Sequence, residues 1–171
     1  VIEADLVGYE PGDVGPVDLL AGGVPCQPYS QSGERKGAED DRDLFPEALR
    51  LVERLQPRAV MLENVMGVFA PDNDMHRFRI LARLEELGYV AEWGKVDATH
   101  FGVPQKRKRA VLVAFRDRRA MERFSWPAPI FGHAETPRTA IASLMAQFTS
   151  KGWEPSEEFM AAMDRATPTL T

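Results

Sequence analysis

Cys26 is the single cysteine of the chain and stands in Pro25-Cys26-Gln27, just past a short apolar run closed by Gly22 and Gly23. One cysteine forms no intrachain disulfide and no multi-cysteine zinc site, which leaves a buried thiol, a lone ligand or a nucleophile. Glu63 lies 37 positions later, at the end of the apolar run 59–62. Poor solvation there would raise its pKa and favour giving a proton; the alternative is a carboxylate paired with an arginine. Gln105, Arg107 and Arg109 alternate at period two, so an extended segment would present them on one face, with Lys106 and Lys108 on the other. Guanidinium groups suit bidentate recognition of carbonyl or phosphate oxygens, although a solvated charge run is the plainer use of such a stretch.

These side chains need a scaffold that brings them together. The run 17–21, closed by two glycines, suits a buried strand ending in a tight turn, and the segment 27–43 after it is polar, charged and glycine-containing, as exposed loops are. Phe45, Ala48, Leu49, Val52 and Leu55 share a helical face, with Asp43 as N-cap, Pro46 in the first turn and Pro57 beyond the end. A second strand is expected at 59–62. Met75, Phe78, Leu81, Leu84 and Leu87 recur at helical spacing before Gly88, a suitable left-handed C-cap. Two further strands are expected at 89–97 and 110–115, joined through a Gly102-Val103-Pro104 turn. Strand, helix, strand, helix, strand, strand predicts an α/β sheet with parallel crossovers, in which loops at the carboxyl ends of the strands line the ligand crevice. Cys26 and Glu63 both fall at such ends. After Arg116 the character changes: 126–129 reads as a rigid connector, 139–148 as a short helix and 155–171 as the start of a further element.

Composition narrows the class. The chain has 171 residues, 44% apolar and 27% charged, with formal charge −5, which predicts a folded domain rather than a disordered one or a general polyanion binder. Seven of the fifteen residues 105–119 are nevertheless Lys or Arg against one Asp, so any nucleic-acid contact should be local. No apolar run is long enough for a membrane helix and the first residues lack a signal-peptide pattern, so the expected setting is the cytoplasm.

Three ordered segments resemble the motifs of the DNA cytosine-5 methyltransferase family. They are Gly22-Gly23-Val24-Pro25-Cys26-Gln27-Pro28-Tyr29-Ser30, then Glu63-Asn64-Val65, then Gly102-Val103-Pro104-Gln105-Lys106-Arg107-Lys108-Arg109. Gly33, Gly37, Asp41-Arg42 and Leu44-Phe45 resemble the family's catalytic-loop region, and the likeness covers about the first 145 residues. The resemblance implies a partial Rossmann-like, S-adenosylmethionine-dependent methyltransferase sheet, parallel with a C-terminal antiparallel strand pair. Residues 1–117 would be part of the catalytic core, and 118–171 a connector and the start of a target-recognition region.

The resemblance further implies that Cys26 adds to C6 of a cytosine flipped out of double-stranded DNA, that Glu63 meets N3 and the exocyclic amine, and that Arg109 binds O2 with support from Arg107. Gln27, Ser30, Arg42 and Gln105 would contact DNA. Asp5, Leu6, Pro25 and Leu44 would line the S-adenosylmethionine pocket, and Asn64 would order the Cys26 loop. The family's glycine-rich donor motif belongs before Asp5 and most of its recognition domain after Thr171. The chain is therefore expected to be a fragment, of restriction-modification type, that binds donor weakly and methylates nothing alone. A tRNA-directed relative, a non-catalytic DNA-binding remnant and a thiol hydrolase built on Cys26 are the alternatives. The last lacks an evident partner among His76, His100 and His133.

Overall fold

The computed structural model describes residues 2–25, 43–130, 136–149, 152, 154–165 and 167–168. It divides into two compact units, one made of Val1–Lys95 with Arg109–Trp126 and the other of Val96–Lys108 with Pro127–Thr171.

The first unit is built on strands β1 (Leu19–Gly23), β2 (Ala59–Val65), β3 (Val90–Asp97) and β5 (Lys108–Phe115), ordered β1-β2-β5-β3. β1 and β2 are parallel, with Gly23 opposite Glu63, and the chain crosses between them through helix α1 (Phe45–Leu55). β2 and β5 are antiparallel, with Val65 opposite Arg109. This is the expected α/β methyltransferase-type sheet, parallel with an antiparallel addition. β2 is longer than its apolar run predicts: Glu63 and Asn64 are ladder residues, because backbone pairing with β1 and β5 continues where the apolar side chains stop.

Residues on alternate positions of these strands build the core. Val60, Leu62 and Leu112 are buried against Phe45, Ala48, Leu49 and Val52 of α1 and against Ile80 and Leu84 of helix α2 (Asp74–Glu86). Each such side chain contributes on the order of 1.5–3 kcal/mol. α1 starts at Pro46 in its first turn and ends at Gln56, left-handed at φ 48°, whose N–H donates to Val52 O; Pro57 then bars continuation. The buried Tyr89 hydroxyl donates to Pro57 O at 2.6 Å, tying the exit of α2 to the entry of β2.

α2 presents a different face from the one its leucine spacing predicts. Met75 and Phe78 are exposed, while His76, Ile80 and Leu84 are the buried residues, a strict four-residue stripe in which a histidine takes a core position. On the sheet, Gly94 of β3 lies under Trp126, whose ring atoms come as close as 2.3 Å to where a Cβ would stand. Trp126 also meets Phe124 edge-on, and Phe124 packs on Phe115, so the segment read as a connector begins as part of this aromatic cover. α3 (Arg118–Arg123) leads into it, its first turn accepted by Asp117.

The second unit holds β4 (Gln105–Lys106), α4 (Pro137–Ala140), α5 (Ala142–Thr149), α6 (Glu157–Met163) and β6 (Thr167–Pro168), with β4 and β6 pairing in parallel. The expected helix at 139–148 is broken at Ile141, and Thr136 and Thr139 form a reciprocal capping box at the head of α4. Arg138 bridges to Asp164 at 3.0 Å.

Candidate active site

Glu63 stands where β1 and β2 end side by side. Val24 donates its N–H to Glu63 O at 3.1 Å, and Glu63 Oε2 lies 3.5 Å from where a Cβ on Gly23 would project. A side chain at position 23 would crowd this carboxylate, so glycine leaves room for it. Antiparallel pairing sets Val111 opposite Glu63 and Arg109 opposite Val65, which puts Glu63 and Arg109 on one face as diagonal neighbours. Arg109 Nε donates to Glu63 Oε1 at 2.7 Å, and the two side chains are 18% and 40% exposed. Glu63 is thus better solvated than an acid at the end of an apolar strand was expected to be, and it is the arginine-paired alternative that the structure shows.

Arg107 does not share the Arg109 face along one continuous strand. The extended run breaks between Lys106 and Lys108: Gln105 and Lys106 pair with β6, Arg107 O accepts from Ala98 N at 3.0 Å, and Arg109 belongs to the four-stranded sheet. The change of pairing partner interrupts the period-two alternation that joined Gln105, Arg107 and Arg109 in the sequence.

Pro25 is exposed and is the last described residue before Cys26; Cys26, Gln27, Ser30 and Arg42 lie outside the described residues. The chain is next described at Asp43, which is not the N-cap of α1, a place taken by Leu44 without a side-chain cap. Asp43 Oδ1 nevertheless accepts the Phe45 N–H at 3.0 Å and so serves the same first turn. Its other oxygen lies 3.7 Å from His76 Nε2, both side chains being almost fully buried. The His76 ring meets Phe45 edge-on at 5.5 Å, and Phe45 meets Trp93 at 5.9 Å. Burial pushes the His76 imidazole below its ordinary pKa, against the opposing pull of Asp43, with Arg79 and Arg77 adding to the lowering. Sequence reasoning missed this pair, because nothing in helical spacing distinguishes a partnered core histidine from an exposed one 33 positions from its acid.

Asn64 is buried, its Oδ1 accepting from Val65 N at 2.7 Å, while its Nδ2 has no hydrogen-bond partner among the described residues. Of the residues expected to line a donor pocket, Leu44 packs on the core and Leu6 is half-buried. Asp5 is exposed, with one carboxylate oxygen on the Val7 N–H at 2.9 Å. A carboxylate with an oxygen to spare, two leucines and an exposed proline offer the acceptor and apolar contacts that an adenosyl group takes, so these residues fit S-adenosylmethionine in chemistry.

Comparison with known proteins agrees with this arrangement. The family model for C-5 cytosine-specific DNA methylases matches residues 2–171. The type II methyltransferase M.NaeI of Lentzea aerocolonigenes is 47% identical over 154 residues, which is 90% of this chain and 36% of that protein. M.NgoMIV of Neisseria gonorrhoeae, another type II methyltransferase, is 36% identical over 99% of this chain and 53% of its own length. The chain thus spans between about a third and a half of these relatives. Among solved structures, an E. coli prophage-encoded protein described as a DNA modification methyltransferase superposes with a TM-score of 0.61 at 22% identity, covering 81% of this chain and 40% of that one; at that identity the likeness speaks for the fold.

Proposed function

Because the chain belongs to the C-5 cytosine-specific DNA methylase family, we propose that it supplies part of the catalytic core of an enzyme that methylates C5 of cytosine in double-stranded DNA. The observation that carries the proposal is the Glu63–Arg109 pair, held at 2.7 Å beside Gly23, three residues before Cys26. Residues 1–117 would form the core portion and 118–171 a connector leading into target recognition. A cytoplasmic, restriction-modification setting belongs to the same proposal; no helix among the described residues is long and apolar enough to cross a membrane.

The chemistry follows from the weakness of C5 as a nucleophile. The Cys26 thiolate adds its electron pair to C6 of a flipped cytosine, forming a C–S bond and moving density toward N3 and C5. Glu63, at N3 and the exocyclic amine, supplies the proton that the ring nitrogen takes up. Arg109 holds O2 with one edge of its guanidinium while its Nε keeps the Glu63 carboxylate in place, a division of labour that a lysine could not perform. Arg107 supports it. S-adenosylmethionine supplies the methyl cation equivalent that C5 accepts. Loss of the C5 proton to a base and expulsion of the thiolate then restore the aromatic ring and free Cys26. Gln27, Ser30, Arg42 and Gln105 would hold the DNA, Asp5, Leu6, Pro25 and Leu44 the methyl donor, and Asn64 the Cys26 segment.

Covalent trapping tests the proposal. With duplex DNA carrying 5-fluorocytosine and S-adenosylmethionine, the adduct stalls because fluorine cannot leave as a proton does. An intact-mass adduct absent in Cys26→Ser supports the reading. Salt-sensitive DNA binding indifferent to Cys26→Ser, with no adduct, would favour a DNA-binding role instead.

A further inference from the structure

Asp43 and His76 form a buried pair at the place where the segment carrying Cys26 rejoins the core. The carboxylate does two things at once: one oxygen accepts the Phe45 N–H at 3.0 Å, closing a turn around Leu44, and the other lies 3.7 Å from His76 Nε2. His76 comes from α2, an element 33 positions away, and its ring is held edge-on against Phe45, itself fully buried. Every other charged group facing this pair from its own or a neighbouring element, Arg50, Arg79, Arg83 and Glu53, lines the cavity of about 410 Å³ between α1 and α2 at whose end the pair sits. A buried carboxylate is costly without a partner, and a surface capping acid would serve the helix as well without one. Something more than helix capping is therefore gained by placing this acid inside.

From this geometry we infer that His76 is a positioning residue: through Asp43 it holds the C-terminal anchor of the Cys26-bearing segment, and with it Leu44, in register with the sheet. The inference rests on the proposed function for its meaning, since Cys26 is the nucleophile whose approach the anchor would set. It does not require Asp43 or His76 to touch substrate.

The test uses the whole chain in three variants. His76→Phe keeps an aromatic ring against Phe45 and removes the nitrogen; His76→Gln restores a donor without titration; Asp43→Asn keeps an acceptor for Phe45 N–H and removes the charge. The primary probe is the rate of Cys26 alkylation by iodoacetamide, which needs neither DNA nor methyl donor, with circular dichroism establishing the fold. The expected result is an alkylation rate in folded His76→Phe that differs from the parent at least threefold, with His76→Gln returning most of the way. An unchanged rate in folded His76→Phe overturns the inference. If His76→Phe does not fold, Asp43→Asn decides by the same threefold criterion. The 5-fluorocytosine adduct is scored separately: no adduct with the parent chain defeats the proposed function, whereas an alkylation rate that still responds to His76 leaves the anchoring role standing.

Discussion

Arg109 Nε reaches Glu63 Oε1 at 2.7 Å because the β2–β5 register sets Arg109 opposite Val65, two residues along from Glu63 on the same face of the sheet. The bond is a consequence of strand pairing, and it can be tested apart from stability. A part-exposed ion pair contributes only about 0–1 kcal/mol, so Arg109→Ala should leave the urea midpoint nearly unchanged. The same substitution should lower 5-fluorocytosine adduct formation by at least about tenfold, with Arg109→Lys recovering little, since an ammonium cannot serve Glu63 and a base carbonyl as a planar fork does. Intact-mass kinetics on the two variants would decide it.

His76 links pH to stability with a definite sign. An unfolded imidazole titrates near about 6.5. Burial lowers the folded value, outweighing Asp43, so between the two values the unfolded chain binds more protons. The stability conferred by keeping His76 neutral is present above that range and is lost as pH falls through the folded value. Thermal midpoints from about pH 7 to about pH 5.5 should therefore fall more steeply for the parent than for His76→Phe. Parallel curves would show that His76 does not carry this dependence.

Gly94 is required by the ring that covers it. A Cβ there would meet Trp126 ring atoms at 2.3 to 2.5 Å, a clash that the indole must escape by moving as a body. Gly94→Ala should cost about 1–3 kcal/mol and alter tryptophan fluorescence. Pairing it with Trp126→Ala should be clearly non-additive, because the second change removes the atoms that the first strikes.

The two faces of α2 should respond oppositely to truncation. Leu84→Ala, at a fully buried position, is expected to cost about 2–5 kcal/mol. Phe78→Ala, at a residue 65% exposed, should stay within about 0.5 kcal/mol in a denaturant titration. Comparable losses at both would mean that Phe78 has a covering partner.

Much of the fold was legible in local pattern. Phe45, Ala48, Leu49 and Val52 mark the buried face of α1 through simple helical spacing, Pro57 and Gly88 mark where helices must stop, and the short apolar runs mark β1, β2 and β5. These features depend on backbone conformation and side-chain period, which neighbouring residues set. The order of chemical groups was legible for the same reason: Glu63 at the end of one strand and Arg109 at the head of another follow from where apolar runs begin and end.

What the sequence determined by itself, then, is the kind and order of elements, the types of side chain at their ends and the family those motifs resemble. The tertiary structure alone decided which of those side chains meet. It paired Glu63 with Arg109 through a strand register, separated Arg107 from Arg109 by a change of pairing partner, turned His76 rather than Met75 or Phe78 into the core, and set it against Asp43. The physical reason is that register and helix rotation are fixed by packing between segments distant in the chain, where a shift of one residue in a strand, or about 100° around a helix, exchanges buried and exposed side chains.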